Sequence, residues 1–130
     1  MAKTALKAAA LMSAVLMSEG QAAGAFSASF SWNGIPACSG TSPAFTIRGA
    51  PNGTARLRFA MRDYDAPNYN HGGATVAYDG KGKVAQGAIG YTGPCPPPGS
   101  VHRYIWSIEA LDASGQVLAR TETEGRFPLR

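Results

Sequence analysis

The chain has 130 residues, with 12 lysines and arginines, 8 acidic residues and a formal net charge of +4. This length is enough for one domain with a modest core and too short for two. The basic residues are scattered and form no continuous stripe, which argues against nucleic-acid binding and leaves only a weak preference for anionic partners.

The first 23 residues predict a secretory signal peptide. Lys3 and Lys7 precede an apolar run at residues 8–17, and small residues follow it. This is the order of secretory signals, and the run is shorter than the roughly 20 residues that a bilayer span needs. We expect cleavage between residues 22 and 25, a periplasmic or secreted domain over residues 24–130, and no stable membrane insertion. The alternative is a buried N-terminal helix.

The rest of the chain predicts strands and little or no helix. The best strand covers residues 55–62, where Leu57, Phe59 and Met61 share one face and arginines share the other. Further strands are predicted at residues 26–32, 43–48, 73–79, 102–112 and 116–120. Short strands separated by turns indicate an all-β fold, here an antiparallel β-sandwich.

Cys38 and Cys95 are the only cysteines, and both lie in the part predicted to be exported. Disulfides form and persist outside the cytoplasm, so we expect these two residues to be bonded. Because the bond would close a long loop, it would stabilise the fold by about 4 kcal/mol. The alternatives are a metal site, which two thiols alone make poorly, and a pair of free buried thiols.

Residues 61–67, at the end of the best strand, contain two carboxylates before a proline. Asp63 and Asp65 are two residues apart, so in an extended chain both would project to the same side. Such a pair can orient a histidine or a ligand hydroxyl, or bind a cation. The alternative is that they cap a turn before Pro67.

A proline-rich segment at residues 90–101 forms a rigid, non-helical approach to His102 and Tyr104. Ser100 lies two residues before His102, but strand neighbours at this spacing rarely reach the geometry of a nucleophile and its base. The sequence also lacks a nucleophile elbow, a phosphate loop and a zinc-protease motif. We therefore expect that the protein is not an enzyme.

These segments resemble the phosphatidylethanolamine-binding protein family, which includes the bacterial and archaeal Raf-kinase-inhibitor-like proteins. The family's D-P-D-x-P signature appears as Asp63-Tyr64-Asp65-Ala66-Pro67. Its G-x-H-R signature appears, one residue longer, as Gly99-Ser100-Val101-His102-Arg103. Residues 91–97 look like the family's approach to that histidine, and residues 42–57 match its upstream S-P, P-x-G-T and L elements.

The resemblance implies a β-sandwich with a small pocket at one end for a phosphate, an acetate or a phospholipid head group. By position, the residues that line or support this pocket are Asp63, Asp65, Pro67, His71, Pro94, His102 and Tyr104. His71 stands for the family's second pocket histidine, although glycines follow it here where tryptophan usually flanks it. We expect an exported protein that binds a small anion or a phospholipid head group, with no cofactor.

Several assignments have alternatives. His71 can be an exposed loop residue, and two histidines with two aspartates can form a metal site, although no pair has a recognised metal spacing. We expect Arg103 to form a structural ion pair with an aspartate such as Asp63. The sequence departs from the family in several ways: Tyr64 replaces the middle proline, glycines replace the aromatic flanks of the second histidine, one residue is added before His102, and the longer C-terminal segment of many members is missing after Phe127-Pro128. We therefore expect a more open pocket and a different ligand. The alternative function is a protein-interaction module that inhibits or modulates a protease, a kinase or another partner.

Overall fold

The computed structural model describes residues 24–129, and the predicted signal peptide at residues 1–23 lies outside them. The strands are β1 (Ser27–Phe30), β2 (Phe45–Arg48), β3 (Arg56–Asp63), β4 (Gly73–Ala77), β5 (Lys83–Val84), β6 (His102–Leu111) and β7 (Val117–Phe127). Within the described part no helix occurs, and hence none that could cross a membrane. The predicted all-β fold is confirmed.

Two antiparallel sheets form the sandwich. The smaller sheet has the strand order β1-β2-β5, and the larger has the order β4-β3-β6-β7. β3 and β6 are the two central strands of the larger sheet, and each is hydrogen-bonded on both sides. Their pairing runs from Arg56 opposite Leu111 to Asp63 opposite Tyr104. The two central strands therefore reach one end of the sandwich together.

β3 shows the alternation that the sequence predicts. Leu57, Phe59 and Met61 are buried, whereas the residues that alternate with them are exposed, namely Arg56, Arg58, Ala60 and Arg62. Side chains of a strand point alternately to the two faces of its sheet, so the apolar row faces the smaller sheet. The strand extends one residue beyond the predicted segment, and Asp63 continues the inward-facing row.

The core between the sheets is rich in aromatic side chains. Trp106 of β6 is fully buried, and its ring lies 5.0 Å from that of Tyr91 and 5.2 Å from that of Phe45. Trp32 packs edge-on against Phe127, with ring centroids 5.7 Å apart. Large aromatic rings bury much apolar area each, which allows a chain of this size to form a stable core.

β7 is longer than the strand predicted at residues 116–120. Its second half reads Thr-Glu-Thr-Glu-Gly-Arg, which has no apolar row that could indicate a strand. These residues nevertheless pair with β6 throughout, for example Thr123 with Trp106. β6 supplies the buried side chains on this side of the sandwich, so β7 needs few of its own. The two-residue strand β5 was not predicted either.

The outer face of the larger sheet carries ion pairs between neighbouring strands. The Glu109 carboxylate accepts hydrogen bonds from Arg58 Nε and Arg120 Nε, both at 2.7 Å. These hydrogen bonds, with a smaller contribution from the two positive charges, lower the pKa of Glu109 below its ordinary value of 4.5. A second pair joins Arg62 to Glu122 at 3.1 Å.

Replacing Glu109 by glutamine is expected to lower the free energy of unfolding by about 1 kcal/mol near neutral pH. A carboxyl group whose pKa is lowered by folding stabilises the protein above its unfolded pKa and loses this contribution as the pH falls through the folded value. The difference between wild type and variant should therefore shrink below pH 4.5. Urea unfolding of both proteins at about pH 7 and about pH 3 measures this difference in the free energy of unfolding. An equal difference at both pH values would contradict this role.

Candidate functional site

The end of β3 and the start of β6 bring the main predicted site residues together. Asp63 is the last residue of β3, His102 is the first of β6, and Tyr104 lies opposite Asp63 in the register. All three belong to the rows that face the interior of the sandwich. The site is therefore built on two hydrogen-bonded strands and is closed by the loops next to them.

Asp63 is the central acceptor of this site, and its residue is only 3% exposed. Its Oδ2 accepts a hydrogen bond from His102 Nδ1 at 2.6 Å. Its Oδ1 accepts the backbone amides of Asp65 at 2.8 Å and Ala66 at 3.1 Å. The carboxylate thus caps the turn after β3 and also orients the histidine. The turn-capping and the histidine-orienting interpretations of Asp63 therefore both apply.

Tyr104 lies beneath the histidines and is buried. Burial above all, followed by the charge of the Asp63 carboxylate and a hydrogen bond to it, raises the pKa of the Tyr104 phenol above its ordinary value of 10.0. A hydrogen bond with the Cys95 backbone acts in the opposite direction. The phenol is therefore neutral at physiological pH.

His71 is buried, with 5% of the residue exposed, so the alternative of an exposed loop histidine is wrong. Its Nδ1 lies 2.6 Å from the Thr92 carbonyl oxygen. Because a carbonyl can only accept a hydrogen bond, Nδ1 carries the proton. The ring packs against Tyr69 and edge-on against Tyr104, with centroid distances of 4.6 and 5.5 Å.

The remaining predicted site residues differ in exposure. Asp65 and Pro67 are exposed in the turn after β3, whereas Pro94 is buried. Asp65 Oδ2 accepts the backbone amide of Arg103 at 2.8 Å, which ties the turn to the start of β6. The expectation that Asp63 and Asp65 project to the same side is wrong. The strand ends at Asp63, and the chain turns before Asp65.

Arg103 does not form the expected ion pair with Asp63. It follows His102 in β6 and belongs to the outward-facing row, whereas Asp63 faces inward. Its guanidinium lies 3.8 Å from the ring centroid of Tyr64, and its Nε lies 3.6 Å from Glu124 Oε2. The ion pair is thus with a glutamate of β7, and the arginine packs on the tyrosine that replaces the family's proline.

Cys38 and Cys95 form the predicted disulfide, which excludes both the free-thiol and the thiol-metal alternatives. The bond joins the loop before β2 to the proline-rich loop before β6. Among residues 24–129, no three side chains of histidine, cysteine, aspartate or glutamate come close enough together to hold a metal ion.

Two contributors to the site were not predicted. Thr92 acts through its backbone carbonyl, which every residue type has, so its side chain gave no signal. Tyr69 contacts the His71 ring, and its position two residues before this histidine was the one available indication. Backbone contacts between distant loops depend on the fold and cannot be recognised from residue types.

The two histidines present similar chemistry. Nδ1 of each donates to a fixed acceptor, so Nε2 is the ring nitrogen left for a ligand. When the ring is protonated, Nε2 can donate a charge-assisted hydrogen bond to an anionic oxygen. The His102 side chain is 17% exposed and that of Asp63 only 4%. A ligand can therefore reach the histidine more readily than the carboxylate behind it.

Comparisons with known proteins agree with the fold and the family. The family model described as phosphatidylethanolamine-binding protein matches residues 70–127. A solved homologue of this family from Chlamydia trachomatis is 22% identical, with a TM-score of 0.56, over 70% of this chain and 83% of that chain. YbcL from E. coli, described as a new member of the mammalian family, is 21% identical, with a TM-score of 0.52, over 70% and 82%. No curated protein matches the sequence. The family model and the fold of these two structures agree with the resemblance that the sequence motifs indicate.

Proposed function

We propose that this chain belongs to the phosphatidylethanolamine-binding protein family and is an exported protein that binds a small anion such as phosphate, acetate or a phospholipid head group. The observation that carries the proposal is the 2.6 Å contact between His102 Nδ1 and the buried Asp63 carboxylate. This contact fixes the ring orientation and leaves Nε2 for the ligand. Such a fixed donor reduces the ordering that ligand binding would otherwise require.

A buried carboxylate near an anion site needs explanation because like charges repel. Two backbone amides and His102 donate hydrogen bonds to Asp63. These donors offset the negative charge of the carboxylate, and a protonated His102 places a positive charge between it and the ligand. The exposed carboxylate of Asp65 can receive an ammonium group such as that of ethanolamine.

These groups suit binding better than catalysis. Asp63 is occupied by its donors, and the raised pKa of Tyr104 keeps its proton in place near neutral pH. Neither group is therefore poised to exchange a proton with a substrate. Family members of this type bind ligands or proteins, which supports the same conclusion.

Two observations support export. The first is the order of basic, apolar and small residues at positions 1–23, which is that of a secretory signal. The second is the disulfide between Cys38 and Cys95, since such bonds are rare in the reducing cytoplasm.

NMR titration of the oxidised domain tests the proposed site. Phosphate, phosphoethanolamine and acetate are added in turn, and the ring resonances of His71 and His102 are followed. Both should shift together in wild type. In Asp63→Asn the phosphate affinity should fall at least about tenfold, because the amide does not stabilise the protonated His102 ring. The amide oxygen can still accept the turn amides, so the fold should persist.

Asp79→Asn is the matched control. Asp79 Oδ1 accepts the Lys81 amide at 2.8 Å, so this residue also caps a turn, but it lies after β4, away from the site. Its replacement should leave the affinity unchanged. Histidine resonances that do not move in folded wild-type protein would overturn the proposed anion site.

That outcome would favour the second candidate function, a protein-interaction module. A groove of about 420 Å³ crosses the outer face of the larger sheet. Small residues, including Ala60 and Ser107, lie between charged side chains such as Glu109 and Glu122 along this groove. Charged side chains around a groove fit a protein surface with complementary charges.

A further inference from the structure

We infer that the Cys38–Cys95 disulfide positions the ligand site, so that the oxidised protein binds phosphate at least about tenfold more tightly than the reduced protein. The inference rests on the proposed function of the site. Its basis is that the disulfide holds a loop whose backbone orients the buried ring of His71.

The loop at residues 91–95 contributes to the site mainly through its backbone. The Thr92 carbonyl oxygen accepts the proton on His71 Nδ1 at 2.6 Å. The Cys95 backbone also acts on the Tyr104 phenol and lowers its pKa, against the larger effect of burial. A shift of this loop would therefore disturb the orientation of His71 and the environment of Tyr104.

The same loop is held by the chain around Cys38 and has no strand of its own. The Cys38 amide donates to the Pro94 carbonyl oxygen at 2.8 Å, and the Tyr91 hydroxyl donates to the Thr41 carbonyl oxygen at 3.1 Å. Gly93 packs so closely that an added Cβ would lie 1.8 Å from the Ser39 carbonyl oxygen. The disulfide is the covalent part of this attachment.

The backbone at Cys38 supports the same interpretation. Its φ of 60° lies in the left-handed region, which residues other than glycine seldom adopt. Such a conformation persists when surrounding contacts hold it, and here these contacts are the disulfide and the hydrogen bond to Pro94. Breaking the disulfide removes one of these two contacts and allows the two loops to separate.

Both cysteines are exposed, so a dithiol reductant can reach the bond. One thiolate of the reductant attacks a cysteine sulfur, the S–S bond breaks, and the other cysteine leaves as a thiolate. The second thiolate of the reductant then attacks the mixed disulfide and releases the first cysteine. Two electrons pass from the dithiol to the protein, the dithiol becomes a cyclic disulfide, and the two protons lost by the dithiol are taken up by the cysteine thiolates.

Coupling between the two sites must be reciprocal. If reduction weakens phosphate binding tenfold, saturating phosphate must make the disulfide harder to reduce by the same factor. For a two-electron couple this corresponds to a midpoint potential about 30 mV more negative. In a reduced protein that stays folded, a disulfide that only stabilised the fold would show no such dependence on phosphate.

The experiment measures phosphate affinity by histidine NMR in the oxidised and the reduced protein, and the midpoint potential in a dithiol redox buffer with and without phosphate. The expected results are a loss of affinity of at least about tenfold on reduction and the matching shift in potential. Equal affinity in both redox states, with an unshifted potential, would overturn the inference. Failure of the oxidised protein to bind phosphate would instead overturn the proposed function.

Gly93→Ala keeps the test decisive if the reduced protein does not stay folded. Its methyl group would push the loop away from Ser39 while the disulfide remains intact, so phosphate affinity should again fall at least about tenfold. Gly90→Ala is the matched control, because a Cβ at Gly90 meets nothing within 4 Å. Unchanged affinity in oxidised, folded Gly93→Ala would show that the loop position does not control the site.

Discussion

Replacing Trp106 by alanine is expected to lower the free energy of unfolding by about 3–5 kcal/mol. The side chain is fully buried and contacts the rings of Phe45, Phe59 and Tyr91. It lies in β6, which is hydrogen-bonded on both sides, so the strand cannot move to fill the void. Domains of this size are commonly stable by only about 5–15 kcal/mol, so the change would remove a large part of the total. Urea unfolding followed by circular dichroism measures it.

Two phenylalanine variants serve as controls for the indole nitrogen. Trp106 Nε1 is buried and has no hydrogen-bond partner among the described residues, so Trp106→Phe loses contact area and no hydrogen bond. We expect it to cost about 1–2 kcal/mol, well below the alanine variant. Trp32→Phe loses the 3.3 Å hydrogen bond from its Nε1 to the Gly125 carbonyl oxygen as well. A cost below about 1 kcal/mol for Trp106→Ala would contradict the central place of this ring.

Removing the disulfide by the double change Cys38→Ser and Cys95→Ser is expected to lower the free energy of unfolding by about 4 kcal/mol. The two cysteines are 57 residues apart, so the bond greatly restricts the unfolded chain. Urea unfolding of the oxidised wild type and of the double variant gives the difference. This stability effect acts mainly on the unfolded state, whereas the proposed effect on phosphate binding concerns the folded loop.

The control uses the wild-type chain under reducing conditions. A dithiol reductant should destabilise the wild type by the same amount as the double change and should leave the double variant unaffected. A loss below about 1 kcal/mol would mean that the reduced chain keeps much of its structure when denatured, so that the bond removes little freedom from it.

Much of the sandwich could be predicted, because apolar and polar residues alternate within several of its strands. The row of Leu57, Phe59 and Met61 indicates both the strand and its buried face. The second half of β7 could not be predicted, because Thr121, Thr123 and Gly125 are small or polar, and the rings of Phe30 and Trp32 lie against Gly125. A strand whose buried contacts come from side chains of neighbouring strands has no alternation of apolar and polar residues that would indicate it.

The candidate site was predictable to a similar extent. Asp63 and His102 could be named because they lie within motifs, and the structure brings them into contact. The partner of Arg103 could not be identified, since a choice between Asp63 and Glu124 depends on which face of β6 the arginine occupies. The role of Thr92 could not be predicted either, because it depends on where the carbonyl group of this loop residue lies in the folded protein.

The pairing of β3 with β6 links the chemistry of the site to the core. Asp63 belongs to the same inward-facing row as Leu57, Phe59 and Met61, so the burial of these three side chains also sets where the carboxylate points. A slip of one residue in this pairing would turn the whole row outward and place Arg62 beneath His102. The site would then hold a cation where it now holds an acceptor. Selection for a well-packed interior therefore also preserves the sign of the charge behind the histidine.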